Sequence, residues 1–190
     1  MTAMPCETVD EKNSEGYIDM NFHELAKARY SVRKFKADNI EEEKLNLILE
    51  AGRVAPTACN FQPQKIYVVK SEENRKKLAE VCRYTFDAPV ILVIGYDQER
   101  DWKNRLMPGY RSGETDAAIV CTHMMLEAWE QGIGSCWVGY FNADEVSRTL
   151  GLPDNVNVTA MLPIGYAADD AQPAELHNTY RDRDDTITEL

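Results

Sequence analysis

Arg29-Tyr30-Ser31-Val32-Arg33 sets two guanidiniums and a hydroxyl at alternate positions. In an extended segment alternate side chains share one side, so these three donors converge. Arg presents a planar fork of donors that stays charged at any physiological pH, and a pair of forks around a hydroxyl suits a phosphate. The same residues also read as a solvated basic stretch after a helix, and a short motif alone does not separate the two. Their setting gives them weight. The chain carries a formal net charge of -11, with 32 Asp and Glu against 21 Lys and Arg, so a local knot of cations needs a reason.

Three other segments carry chemistry. Pro56-Thr57-Ala58-Cys59-Asn60-Phe61-Gln62-Pro63 is rich in hydroxyl and amide groups, which can meet a heteroaromatic ring without adding charge; it also reads as an ordinary helix-to-strand connection. Gly132-Ile133-Gly134-Ser135-Cys136-Trp137 resembles the start of a dinucleotide fingerprint, but Trp137 takes the third glycine's place. The segment also leaves a helix and enters a strand, the reverse of the order a Rossmann turn needs. Trp137-Val138-Gly139 ends that strand, and its glycine either allows a flat ligand close to the backbone or marks the strand's end. Arg181 and Arg183 sit in an otherwise acidic tail, where the simplest reading is solvation.

Cys6, Cys59, Cys82, Cys121 and Cys136 form no CxxC pair, and the three histidines are as scattered. No metal site is expected, and buried free thiols are the default.

Periodicity supplies the elements that must position these groups. Asn21 and Glu24 have capping-box spacing for a short helix to Arg29, with Phe22, Leu25 and Ala26 as its apolar stripe. A second helix opens on Glu41, Glu42 and Glu43, where its dipole favours anions, and closes before Pro56. Strand is expected over 65–70, helix over 71–83, and a central strand over the apolar run 89–96. Residues 97–111 are charged and irregular, a lid or a surface loop. The longest helix runs over 112–131 and is apolar around so much of its circumference that it belongs in a core or an interface. A strand over 133–138, a helix over 143–150, a strand over 155–163 and a turn at 163–166 follow.

A chain of 190 residues fits one domain with arms. Its acidity argues against nucleic acid as a partner. No apolar run approaches the roughly 20 residues of a membrane helix, and the first residues lack a signal peptide's basic start and apolar core. A cytoplasmic protein with no membrane partner is expected.

In this order and spacing, four motifs resemble the FMN-dependent nitroreductase family. They are Arg29-x-Ser31-x-Arg33, Ala55-Pro56-Thr57-Ala58-x-Asn60-x-Gln62-Pro63, the helix of Asp116-Ala117-Ala118-Ile119, and Gly132-x-Gly134-x-x-Trp137-x-Gly139. The resemblance implies an α+β fold, a small mixed sheet enclosed by helices, in an intertwined homodimer with FMN at the interface. It implies a flexible lead-in over 1–19, an FMN-binding domain over 20–166 and a C-terminal arm over 167–190 that completes the flavin site. Arg29, Ser31 and Arg33 would contact the phosphate and the pyrimidine side, and Tyr30 would contribute through its backbone. Pro56, Thr57, Ala58, Asn60 and Gln62 would line the cofactor, with Thr57, Asn60 and Gln62 coming from the partner subunit. Trp137, Val138 and Gly139 would follow, the last two turning their backbone to the flavin N5–O4 edge, and Arg181 and Arg183 would complete the phosphate site. Two positions depart from the family pattern. Gln64 stands where a Trp is usual, and Ala167 where a Pro is usual.

The implied activity is that of an NAD(P)H oxidoreductase passing electrons to nitroaromatic, quinone or similar electron-poor acceptors by a ping-pong mechanism. Bound flavin carries such chemistry, so no catalytic side chain is required. Alternatives are another reductive chemistry on the same fold, such as dehalogenation or enone reduction, and a non-catalytic flavin-binding redox sensor with Cys59 and Cys136 as reporters. The residues name neither the acceptor nor the choice between NADH and NADPH, because such pockets are built from variable loops.

Overall fold

A computed structural model of the chain describes residues 21–190. The expected lead-in over 1–19 lies outside the described residues. Helix α1 (Phe22–Ala28) begins at Asn21, whose side chain accepts from the Glu24 N–H while the Glu24 carboxylate accepts from the Asn21 N–H. The capping box is therefore formed as its spacing implies.

Among the described residues four strands, β1 (Gln64–Val69), β2 (Val90–Asp97), β3 (Gly134–Ser135) and β4 (Val156–Gly165), make one sheet in the order β1-β2-β4-β3. All three pairings are antiparallel. The sheet is thus antiparallel rather than mixed; parallel pairing among the described residues is an isolated bridge outside it, Ser31 to Ser135.

Strand β2 is buried along its whole length, and its alternate residues enter two cores. Val90, Leu92 and Ile94 pack with Leu45 and Ile48 of α2 (Glu42–Val54) and with Val120 and Met124 of α4 (Gly113–Glu130). Ile91 and Val93 pack with Leu78 of α3 (Glu72–Val81) and Val146 of α5 (Ala143–Leu150). Helices thus cover both faces, which is why the run reads as continuously apolar.

The strand expected over 133–138 is much shorter. Its register with β4 is kept, since Ser135 pairs with Ile164 and Val138 with Met161, but the ladder breaks between them. Cys136 donates its N–H to the Pro163 carbonyl at 3.2 Å, and Pro163 has no N–H to return.

The tail after Tyr166 is also better tied than its composition suggests. Phe35 and Ala167 form an antiparallel bridge, flanked by hydrogen bonds from the Lys36 N–H to the Tyr166 carbonyl and from the Ala168 N–H to the Lys34 carbonyl. Beyond it come a short 3-10 turn over Glu175–Asn178 and the one-turn helix α6 (Arg183–Thr186).

Residues 31–36 therefore form an extended strap sewn to β3 at one end and to the exit of β4 at the other. The Val32 N–H donates to the Ser135 carbonyl at 2.9 Å, and the fully buried Val32 side chain lies over Gly134. A Cβ on Gly134 would stand 2.7 Å from Val32 Cγ2 and 3.0 Å from its Cβ, so the strap would have to lift. Gly134→Ala is expected to cost about 1–3 kcal/mol, the usual range for overpacking, read from urea denaturation.

Candidate functional site

The strap turns its alternate residues to opposite sides. Val32 goes inward, and Tyr30 packs edge-on against Trp129 with ring centroids 5.3 Å apart. Ser31 and Arg33 alternate with Val32, and the Ser31–Ser135 bridge brings this segment beside the buried Cys136 thiol. Burial raises this thiol, and the Arg33 charge, a hydrogen bond with Ser31 and the Arg29 charge each pull it down. Arg33 also donates to the Ser31 carbonyl at 3.3 Å. Among the described residues neither Arg29 nor Arg33 has a carboxylate partner, although the chain has an excess of acids.

The loop after α2 is a built structure. Cys59, Asn60 and Gln62 all have positive φ, at 49°, 56° and 48°. Such residues persist only where their surroundings hold them, since each is a strained choice for a side chain with a Cβ. Here the Gln62 N–H donates to the Thr57 hydroxyl at 3.0 Å, the Gln62 side-chain amide donates to Asn60 Oδ1 at 2.9 Å, and the Asn60 N–H donates to the Thr57 carbonyl at 3.0 Å. The Ala58 N–H donates to Asp116 Oδ1 at 2.9 Å. Asp116 is buried in the first turn of α4, and its second oxygen accepts from the Ser112 hydroxyl at 2.7 Å. Pro56, Asn60 and Gln62 are exposed, while Thr57 and Ala58 are half-buried. Sequence reasoning gave Asp116 no role beyond its place in a motif. A carboxylate among residues that otherwise face a core was the available signal.

At the end of the β3 segment, Val138 is pinned by both backbone groups to Met161, at 2.8 and 3.0 Å. Its N–H is spent, so of the Val138–Gly139 pair only the Gly139 N–H is without a partner among the described residues. A Cβ on Gly139 would meet nothing nearer than Trp137 Nε1 at 3.9 Å, leaving open space before that backbone. Trp137 is half-buried against the α2–α4 side of the core.

Arg181 and Arg183 are exposed, and no hydrogen bond or ion pair among the described residues ties their guanidiniums down. The tail's ring contact with the strap is His177 against Tyr30, centroids 6.2 Å apart. Residues 97–111 are firmly rooted. Buried Asp101 accepts two hydrogen bonds from Arg111, at 2.7 and 2.6 Å, and Lys103 bridges to Arg111, so a small lobe exposes Leu106 and Met107 at its tip. No helix among the described residues is long and apolar enough to cross a membrane.

Comparison with known proteins places this geometry in context. The model of the Nitroreductase family matches residues 26–86 and 82–166. An NADPH-dependent oxidoreductase of Staphylococcus aureus is 30% identical over 168 residues, covering 80% of this chain and 67% of the relative. An NADH dehydrogenase of Thermus thermophilus is 28% identical over 179 residues, covering 77% and 86%. Among solved structures, a nitroreductase family protein of Clostridium difficile superposes with a TM-score of 0.83 at 36% identity, covering 89% of this chain and 98% of the other. An FMN-dependent nitroreductase of the same organism gives a TM-score of 0.71 at 27% identity, covering 87% and 96%.

Asp116→Ala strands the Ala58 N–H and the Ser112 hydroxyl together. It is expected to cost about 1–3 kcal/mol, the penalty for unpaired buried groups. Asp116→Asn can still accept from Ala58 and should cost less. Denaturant unfolding ranks the two, and amide exchange at Ala58 should rise most in the alanine variant.

Proposed function

The chain belongs to the nitroreductase family, and from that membership, which supports an oxidoreductase, we propose an FMN-dependent NAD(P)H oxidoreductase that reduces nitroaromatic, quinone or similar electron-poor acceptors. Arg29, Ser31 and Arg33 carry the reading: two arginines without carboxylate partners among the described residues, at alternate positions around a hydroxyl where α1 runs into a strap fixed at both ends. This donor set fits a phosphate better than a neutral ligand. The strained loop of Pro56, Thr57, Ala58, Asn60 and Gln62 and the open backbone of Gly139 fit a flat heteroaromatic ring.

When bound, FMN would supply two-electron transfer between NAD(P)H and the acceptor. The protein's part is to hold and polarise it. Arg33 would be the cation and the Gly139 N–H the backbone donor toward the bound ring, because the Val138 N–H is already engaged. Preorganised donors of this kind stabilise negative charge at no cost of reorganisation. Residues 167–190 act as an arm that brings Arg181 and Arg183 to the phosphate. If both substrates use one face of the ring they must alternate, so ping-pong kinetics are expected. A cytoplasmic location fits this reading.

The site is completed by a second copy of the chain. An apolar groove between α1, α2 and α4 exposes Phe22 (72%) and Val54 (61%) beside Leu126, on the side of α4 that the sheet does not cover. Exposed apolar side chains grouped on one face suit a contact with another copy. A dimer is expected in sedimentation, and Val54→Asp should shift it towards monomer and loosen flavin retention.

The decisive test is anaerobic mixing of the flavin-loaded protein with NADH and with NADPH. Bleaching of the oxidised-flavin absorbance by one or both is expected, then recovery on adding a quinone. A flavin that stays oxidised with both would overturn the reductase reading and leave a flavin-binding sensor.

A further inference from the structure

The C-terminal arm touches the body of the protein sparingly. From 172 to 190 every residue is exposed except His177. Among the described residues, the hydrogen bonds of this stretch close within it, as from the His177 N–H to the Ala174 carbonyl and from the Thr179 N–H to the Leu176 carbonyl. Its last backbone and ionic ties to the fold come earlier, at the Phe35–Ala167 bridge and at the pairs of Lys36 with Asp169 and Lys34 with Asp170. His177 is the exception. Its ring packs against Tyr30, centroids 6.2 Å apart at 68°, and Tyr30 in turn stands edge-on to Trp129, 5.3 Å apart at 73°. Trp129 Nε1 is buried with no hydrogen-bond partner among the described residues. Ring packing therefore holds this joint, and it links three elements: the arm, the strap and α4.

The place of the joint gives it a consequence. Tyr30 stands between Arg29 and Ser31, and His177 stands four positions before Arg181. Guanidiniums gathered around one anion site repel one another until the anion arrives, so charge does not dock the arm on an empty site. A ring contact can. It also shortens the tether. Without it Arg181 hangs thirteen positions from Ala168, whose N–H donates to the Lys34 carbonyl; with it the tether is four. Local concentration falls roughly as the −3/2 power of chain length, so the shorter tether raises that of Arg181 about sixfold.

We propose that His177 is the positioning residue of the C-terminal arm, and that its packing on Tyr30 keeps Arg181 and Arg183 beside the phosphate strap. The inference rests on the reading of residues 167–190 as an arm that completes the phosphate site. His177 itself touches no ligand; it acts through the two arginines that follow it.

Two measurements on the flavin-free, full-length protein test it. The first needs no flavin. Amide exchange at Thr179, whose N–H closes the turn that carries His177, should rise in His177→Ala and hold steady in His177→Phe, which keeps a ring. The second is titration with FMN and with riboflavin. His177→Ala should weaken FMN about sixfold and riboflavin less than about twofold, and His177→Phe should retain the FMN affinity. Added to Arg181→Met with Arg183→Met, His177→Ala should weaken FMN no further, because it acts only through those arginines. Unchanged exchange at Thr179, equal weakening of FMN and riboflavin, no rescue in His177→Phe, or a loss that adds to that of the arginine pair would overturn the assignment. Faster exchange at Thr179 in His177→Ala, with FMN binding absent or indifferent to Arg181 and Arg183, would keep His177 as the arm's dock and sink the reading of the arm as part of a phosphate site.

Discussion

The stitching of residues 31–36 to the sheet is the constraint on which the site depends. One hydrogen bond from Val32 to Ser135 and a bridge from Phe35 to Ala167 fix an extended backbone at two points. Extended geometry then decides which side chains share a side. Val32 is driven into the space over Gly134, which leaves the alternate positions Ser31 and Arg33 to the other side. Fully burying such a side chain is worth about 1.5–3 kcal/mol, which holds the strap in place.

The same logic, a buried anchor and an exposed working group, recurs at the other parts of the site. Asp116 is buried, and the loop it holds shows Asn60 and Gln62 to solvent in strained conformations. Val138 is spent on Met161 so that Gly139 can stand clear. A rigid base lets polar groups be placed before a ligand arrives, which removes ordering costs from binding.

Much of this was legible in the residues because it is local. The alternation in Arg29-x-Ser31-x-Arg33, the Asn21–Glu24 capping box and the apolar run of β2 each express one period or one turn of chain. The features that stayed hidden involve residues far apart. Pro163 interrupts the ladder of a strand some 27 positions earlier in sequence, at Cys136. The Phe35–Ala167 bridge joins the two ends of the fold and gives the tail an order its polar composition does not suggest. Nor does the spelling of residues 56–63 reveal three left-handed residues, because none of them is a glycine. The choice of Gly139 over Val138 as the free donor needed the pairing of Val138 with Met161, which only the register supplies.

The central claim is that the strap's arginines recognise a phosphate on a flavin. Titrating the flavin-free protein with FMN and with riboflavin, which differ by that phosphate, tests it most directly. FMN should bind at least about 100-fold more tightly, and Arg29→Ala with Arg33→Ala should erase most of the difference, since hydrogen bonds to charged groups are worth about 1.5–3 kcal/mol each. Equal affinity for FMN and riboflavin, or an FMN preference that survives the double substitution, would contradict it.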